Sequence, residues 1–295
     1  MSSSVTMNID LHIHSKNGSD GRWDVEDIFA EAQRRAVGLI SITDHDSIAA
    51  SERATELARE YGMHFITGVE LNITFSHPDY REGKEIPLDF LGYGFDMHDA
   101  SLKEKLEELQ RYRTYRAGRI LEKINAEFRN AGIPEFTGED MEAVRSYADG
   151  SLARPHIARY LIRKGIVKDK QEAFETYLVK CDVPKMHFSL EEASTLIRKA
   201  GGRLVLAHPG DTNGTSLVSL SPDISQHLTI IRETMMDFID GIECWHTRHN
   251  RITTKTYSAF AQREGLIATG GSDCHQQPAI LGSMQIPSWV ADQFL

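Results

Sequence analysis

Asn8-Ile9-Asp10-Leu11-His12-Ile13-His14 is the stretch that decides the reading of this chain. On a strand, residues two apart share a face. Ile9, Leu11 and Ile13 therefore make one apolar face, and Asp10, His12 and His14 make the other. The apolar face predicts cover by helices, so the strand is expected to be buried. Three in-phase polar side chains on a buried strand need a common partner, because an unpaired polar group is costly there.

Four further clusters extend the pattern. They are Thr43-Asp44-His45-Asp46, Gly68-Val69-Glu70, Ala207-His208-Pro209 and Ser272-Asp273-Cys274-His275, with Ser19-Asp20-Gly21 trailing the first motif. Asp44-His45, Glu70 and His208 fall where strands should end, and Asp273 and His275 repeat the i, i+2 device at a last strand. Neutral imidazole and carboxylate are the ligands of divalent transition metals where no cysteine cluster is on offer. Their number exceeds the needs of one ion and points to a multi-metal hydrolytic centre of the kind that breaks phosphate esters. Asp46 is expected to cap the following helix, and Asp10 and Asp44 to orient ligands from behind.

The surrounding pattern alternates strand and helix. Asp24 is read as the N-cap of a helix to about Val37, ended by Gly38. Strands are expected at 39–43, 64–70 and 87–94, with a helix at 47–61 between the first two of these. A long charged helix at 101–130 and shorter helical pieces follow. Alternation then resumes with a helix at 190–200 and strands at 203–207, 241–244 and 266–270. Repeated βα units predict a parallel sheet, and a closed barrel is one way to finish it.

Composition narrows the class. The 295 residues carry a formal net charge of −10, which argues against salt-driven binding of long nucleic acid. Bound divalent ions would still admit a small anion. Cys181, Cys244 and Cys274 form no disulfide framework or zinc-finger spacing. The N-terminal residues lack the regions of a signal peptide, and no apolar run approaches a membrane span. A reduced, cytoplasmic protein is expected.

The motif series resembles the PHP (polymerase and histidinol phosphatase) family. It runs as Asp10-Leu11-His12-Ile13-His14-Ser15, Ser19-Asp20-Gly21, Ile42-Thr43-Asp44-His45-Asp46, Gly68-Val69-Glu70, Ala207-His208-Pro209-Gly210 and Gly271-Ser272-Asp273-Cys274-His275. The resemblance implies a distorted (β/α)7 barrel made by residues 1–97 and 201–295, with a helical cap inserted at 98–200. It also implies three ions of Mn, Zn or Fe type. His12, His14, Glu70 and Asp273 would hold one, Glu70 and His208 a second, and Asp20, His45 and His275 a third. In this set His12, His14, Glu70, His208, Asp273 and His275 are the expected catalytic residues.

Two departures stand out. Similar proteins place a His where this chain has Asp89, so Asp89 is expected to complete the second ion's coordination, with His77 its competitor. Asp211 stands where relatives often have Arg, and Arg248 and His249 are the candidates to compensate. Within the cap, Ala153-Arg154-Pro155-His156-Ile157-Ala158-Arg159 resembles the segment of a nucleotide-acting subgroup. Arg154 and His156 are expected on substrate phosphate, as is His249, and Arg159 on the surface.

The resulting expectation is a metal-dependent phosphoesterase in which a hydroxide bridging two ions attacks phosphorus. Its substrate would be a small nucleotide, a 3′,5′-bisphosphate or 5′-monophosphate, or a short oligonucleotide. The alternatives are a histidinol-phosphate phosphatase and a non-catalytic metal-binding regulatory module.

Overall fold

The computed structural model describes residues 7–147, 152–212, 215–276 and 278–295. The chain opens with β1 (Asn8–Asp10), α1 (Val25–Arg34), β2 (Val37–Ile40), α2 (Ser51–Tyr61) and β3 (His64–Phe65). The three strands pair in parallel in that order. Helix α1 buries Val25, Ile28, Phe29 and Ala32, the single stripe that its apolar spacing dictates. Asp24 occupies its N-cap without a side-chain bond, and Asn17 Oδ1 accepts from Val25 N instead. The helix stops at Arg34, short of the expected Val37. Ala36 turns left-handed at φ 55°, and Val37 and Gly38 already belong to β2.

A second sheet holds β4 (Gly68–Phe75), β5 (Ile86–Tyr93), β6 (Arg203–Leu206), β7 (Gly241–His246) and β8 (Ile267–Gly271), in chain order. The wholly parallel sheet expected from sequence is corrected here. Strand β5 runs antiparallel to both β4 and β6, so it is reversed against the other four strands, and β6, β7 and β8 pair in parallel. The cause is the connection at 76–85, too short for the dozen or more residues of a helical crossover. Isolated bridges from Ile13 to Cys274 and from His45 to Glu70 link the two sheets. At the first seam a Cβ on Gly271 would lie 2.3 Å from His12 N, so only glycine admits the close approach.

Between β5 and β6 come α3 (Ala100–Ala131), α4 (Gly138–Arg145), α5 (Arg154–Arg163), α6 (Lys170–Ala173) with a π-turn at Phe174–Leu178, and α7 (Leu190–Lys199). Two more helices, α8 (Ile224–Thr234) and α9 (Arg251–Glu264), flank β7. Apolar side chains sort into separate cores. Leu102, Leu106 and Leu109 of α3 and Ala193 and Ile197 of α7 pack with the five-stranded sheet. Ala117, Ile120, Ile124 and Phe128 of α3 pack instead with Val144, Ile157, Leu161 and Leu178.

Asp46 does not cap a helix. Helix α2 begins at Ser51 with Ala50 at its N-cap, and the Asp46 carboxylate accepts from Arg113 Nε of α3 at 2.6 Å. No helix among the described residues is long and apolar enough to cross a membrane.

Candidate metal centre

Ligand atoms converge where the strands expose their polar residues. Three sets each lie within 4.8 Å: His14, Asp20, His45 and His275; His12, His14 and Asp273; and His12, Glu70 and His208. Eight of the nine sequence-predicted ligands belong to these sets. Asp89 does not, and neither does His77. Asp89 faces the same side of the β4–β5 ladder as Glu70, opposite Asn72, and accepts from Asn72 Nδ2 at 2.5 Å. His77 lies in the loop after β4, beside Asp79 and Tyr80.

Buried acceptors and donors in this region lack hydrogen-bond partners. They are His12 Nε2, His14 Nε2, Asp20 Oδ1, His45 Nδ1, Glu70 Oε2, His208 Nδ1 and His246 Nε2. His45 Nδ1 comes within 2.9 Å of Glu70 Oε2, yet outside hydrogen-bond geometry. Orphaned buried atoms are rare in folded proteins and need a cause. Imidazole nitrogens and carboxylate oxygens converging without partners make the donor set of borderline divalent cations, and the residues fit such ions.

A second layer holds these side chains. Asp44 accepts from Ser15 N at 2.7 Å and from Ser19 Oγ at 2.8 Å, and Ser19 Oγ lies 3.3 Å from His14 Nδ1. Asp10 accepts from Ser272 N, Ser272 Oγ and Gly282 N at 2.6–2.9 Å, tying β1 to the segment that carries Asp273. Both carboxylates bond to segments that carry candidate ligands. Gln276, which sequence reasoning passed over, donates to His14 O at 2.7 Å. His208 at φ 24° and Asp273 at φ 53° adopt left-handed backbone, strain of a kind that persists where surrounding structure enforces it.

Strand β7 contributes two residues missed from sequence, Glu243 and His246. Three apart, they would point to opposite faces of a regular strand. A bulge between Glu243 and Trp245 shifts the register. Glu243 is then fully buried with Oε1 3.0 Å from His12 Nδ1, and His246 Nε2 lies 3.5 Å from Asp273 Oδ2. A buried acid inside the apolar run Gly241-Ile242-Glu243-Cys244-Trp245 was the available signal.

The charges support each other. Burial acts to raise Glu70, but His45 and His12 hold its carboxyl well below the ordinary range. Asp273 behaves alike beside His12 and His275. Burial opposes charge on His14, yet Asp273 and Glu70 push it up to about 10. His208 is likewise pushed up to about 9, burial being outweighed by Glu70.

Above the cluster lies a cleft of about 740 Å³. Its walls include Asp20, Asp273 and His275 of the centre, Arg22 and Arg248, and Tyr147, His156, Arg159 and Lys170 from the helical side. Of the three expected substrate contacts only His156 faces it, its Nδ1 accepting from Ala153 N. Arg154 instead pairs with Asp182 at 2.9 Å and lies over Phe174. His249 is tied to backbone at both nitrogens, Gly210 N and Cys244 O, and burial pushes it down to about 4. Arg159, expected on the surface, lines the cleft against the Tyr147 ring. Arg248 Nη1 reaches Asp211.

Known proteins are similar to this chain. A Chromobacterium violaceum 3′,5′-nucleoside bisphosphate phosphatase is 30% identical over 91% of this chain and 87% of its own length. A Haemophilus influenzae 5′-3′ exoribonuclease is 29% identical over 92% and 91%. An Eggerthella lenta phosphoribosyl 1,2-cyclic phosphate 1,2-diphosphodiesterase is 26% identical over 90% and 93%. Among solved structures, a C. violaceum amidohydrolase with bound sulfate and no metal superposes with TM-score 0.78 at 27% identity, covering 98% of this chain and 97% of that one. The profile of the PHP domain family matches residues 10–269, and the chain belongs to that family.

Proposed function

We propose that this PHP-family phosphoesterase removes phosphate from small nucleotides, with nucleoside 3′,5′-bisphosphates and 5′-monophosphates as its leading substrates. The observation that carries the reading is the set of unpaired buried ligand atoms opening into a cation-walled cleft. The relatives named for nucleotide and RNA substrates support it.

In this reading His12, His14, Glu70 and Asp273 hold one divalent ion of Mn, Zn or Fe type, Glu70 and His208 a second, and Asp20, His45 and His275 a third. Bound ions supply a more acidic water and neutralise charge on the phosphate oxygens. Arg159, Lys170, Arg22 and Arg248 draw the anion in and orient it, and His156 adds a donor or acceptor from the start of α5. Tyr147 offers a ring on which a base can stack. The cleft's volume is that of a small-molecule site. We read the two linked sheets as the distorted (β/α)7 barrel, residues 98–200 as its inserted cap, and the free, buried Cys181, Cys244 and Cys274 as fitting a cytoplasmic setting.

A second reading, trimming of short oligonucleotides, is favoured by the Tyr147 and Arg159 pair, because ring and cation together suit single-stranded nucleic acid. Phosphate release by Mn-loaded protein tests both. The panel holds bisphosphates, 3′- and 5′-monophosphates, di- to pentanucleotides and histidinol phosphate, each with an EDTA control. EDTA-sensitive release from nucleotides is expected, and preference for histidinol phosphate would overturn the assignment.

A further inference from the structure

Glu243 touches two candidate ligands that come from different strands. Its Oε1 lies 3.0 Å from His12 Nδ1, and its Oε2 accepts from His208 N at 2.7 Å. It is fully buried. A carboxylate accepts at both oxygens and donates at neither, so each contact has a defined polarity. The His12 proton must sit on Nδ1, which leaves the unpaired Nε2 facing Glu70 and Asp273. The second contact holds the amide of His208, whose φ of 24° is strained.

We propose that Glu243 is a positioning residue that fixes the tautomer of His12 and the backbone of His208 together, and so sets the two neighbouring ion positions that these residues hold on either side of Glu70. The proposal rests on reading the cluster as a metal centre. Chemistry makes it specific to a carboxylate. Glutamine has the same shape but one acceptor and one NH₂ donor. Whichever way its amide turns, a donor meets a donor, either at His12 Nδ1–H or at His208 N–H.

The test compares the full chain with its Glu243→Gln variant. Co²⁺ uptake is followed by visible absorption and by competition with a chelating dye, beside thermal melting of the chelator-stripped proteins. The variant is expected to bind Co²⁺ 10–100-fold more weakly at one step, the usual effect of losing such a partner, with an altered absorption band. Unchanged affinity and absorption in the variant would overturn the proposal while leaving the metal centre standing. No uptake by the wild type would overturn both. Should the variant fail to fold, ¹H–¹⁵N NMR of the Zn-loaded wild type decides alone. His12 protonated at Nδ1 supports the assignment, and a His12 ligating through Nδ1 sinks it.

Discussion

Arg248 Nη1 lies 2.6 Å from Asp211 Oδ2, so the loop after β7 is pinned to the loop after His208. The family resemblance implies a cation where Asp211 stands. Here the acid instead aims a cation from the neighbouring strand into the cleft wall. Replacing Arg248 by Ala should raise KM for a nucleotide substrate about tenfold with a smaller change in kcat, the scale of one charge-assisted hydrogen bond. Steady-state kinetics read the split, and an unchanged KM would show that Arg248 is not a substrate contact.

Arg154 and Arg159 should separate cleanly. Arg159 lines the cleft, and Arg154 is occupied by Asp182. Arg159→Ala is expected to raise KM severalfold with melting temperature unchanged. Arg154→Ala should lower the melting temperature by a few degrees and leave KM near wild type. The reverse pattern would return phosphate binding to Arg154.

Chelation should couple to pH. His14 and His208 have raised pKa values, about 10 and about 9, against an ordinary 6.5. Their positive charge stabilises the metal-free fold fully below about pH 6.5 and is lost as pH rises toward 9–10. The melting temperature of EDTA-treated protein should therefore fall between pH 7 and pH 10. Metal affinity should rise over the same interval, because protons leave the ligand nitrogens. Calorimetry in buffers of different ionisation enthalpy would detect the released protons, and a pH-independent affinity would contradict the assignment.

Arg113 and Asp46 form a buried pair between α3 and the segment after His45, 12% and 5% exposed. Arg113→Ala strands the carboxylate and should cost about 3 kcal/mol in denaturant unfolding. A double variant with Asp46→Ala should recover part of that loss. A single-variant cost below about 1 kcal/mol would mean that the pair is solvated.

The sequence was most legible where periodicity and chemistry coincide. His12 and His14 were readable because a strict period of two set them against Ile9, Leu11 and Ile13. Asp10 and Asp44 were readable from their place beside ligands. Glu243 and His246 escaped because a bulge breaks the phase on which such reading depends. The antiparallel β5 escaped because hydrophobic alternation carries no direction, and the loop length before it was the overlooked cue. That Arg159 and not Arg154 lines the cleft was hidden because tertiary partners, Asp182 for one and Tyr147 for the other, decide where each guanidinium lies.

The reversed β5 has a mechanical consequence. Its last residues pair with the first residues of β4 and β6, so the chain leaves the sheet at the end opposite to that from which β6 leads into His208. Helix α3 must climb back. Its 32 residues span about 48 Å, first against the sheet through Leu102, Leu106 and Leu109, then past Arg113, then into the second core. It is a mast rather than a hinge, and the roof over the cleft stands at a height and bearing counted in residues. One residue added between Leu109 and Ala117 would lift that roof about 1.5 Å and swing it about 100°, carrying His156 and Arg159 out of register with the floor below.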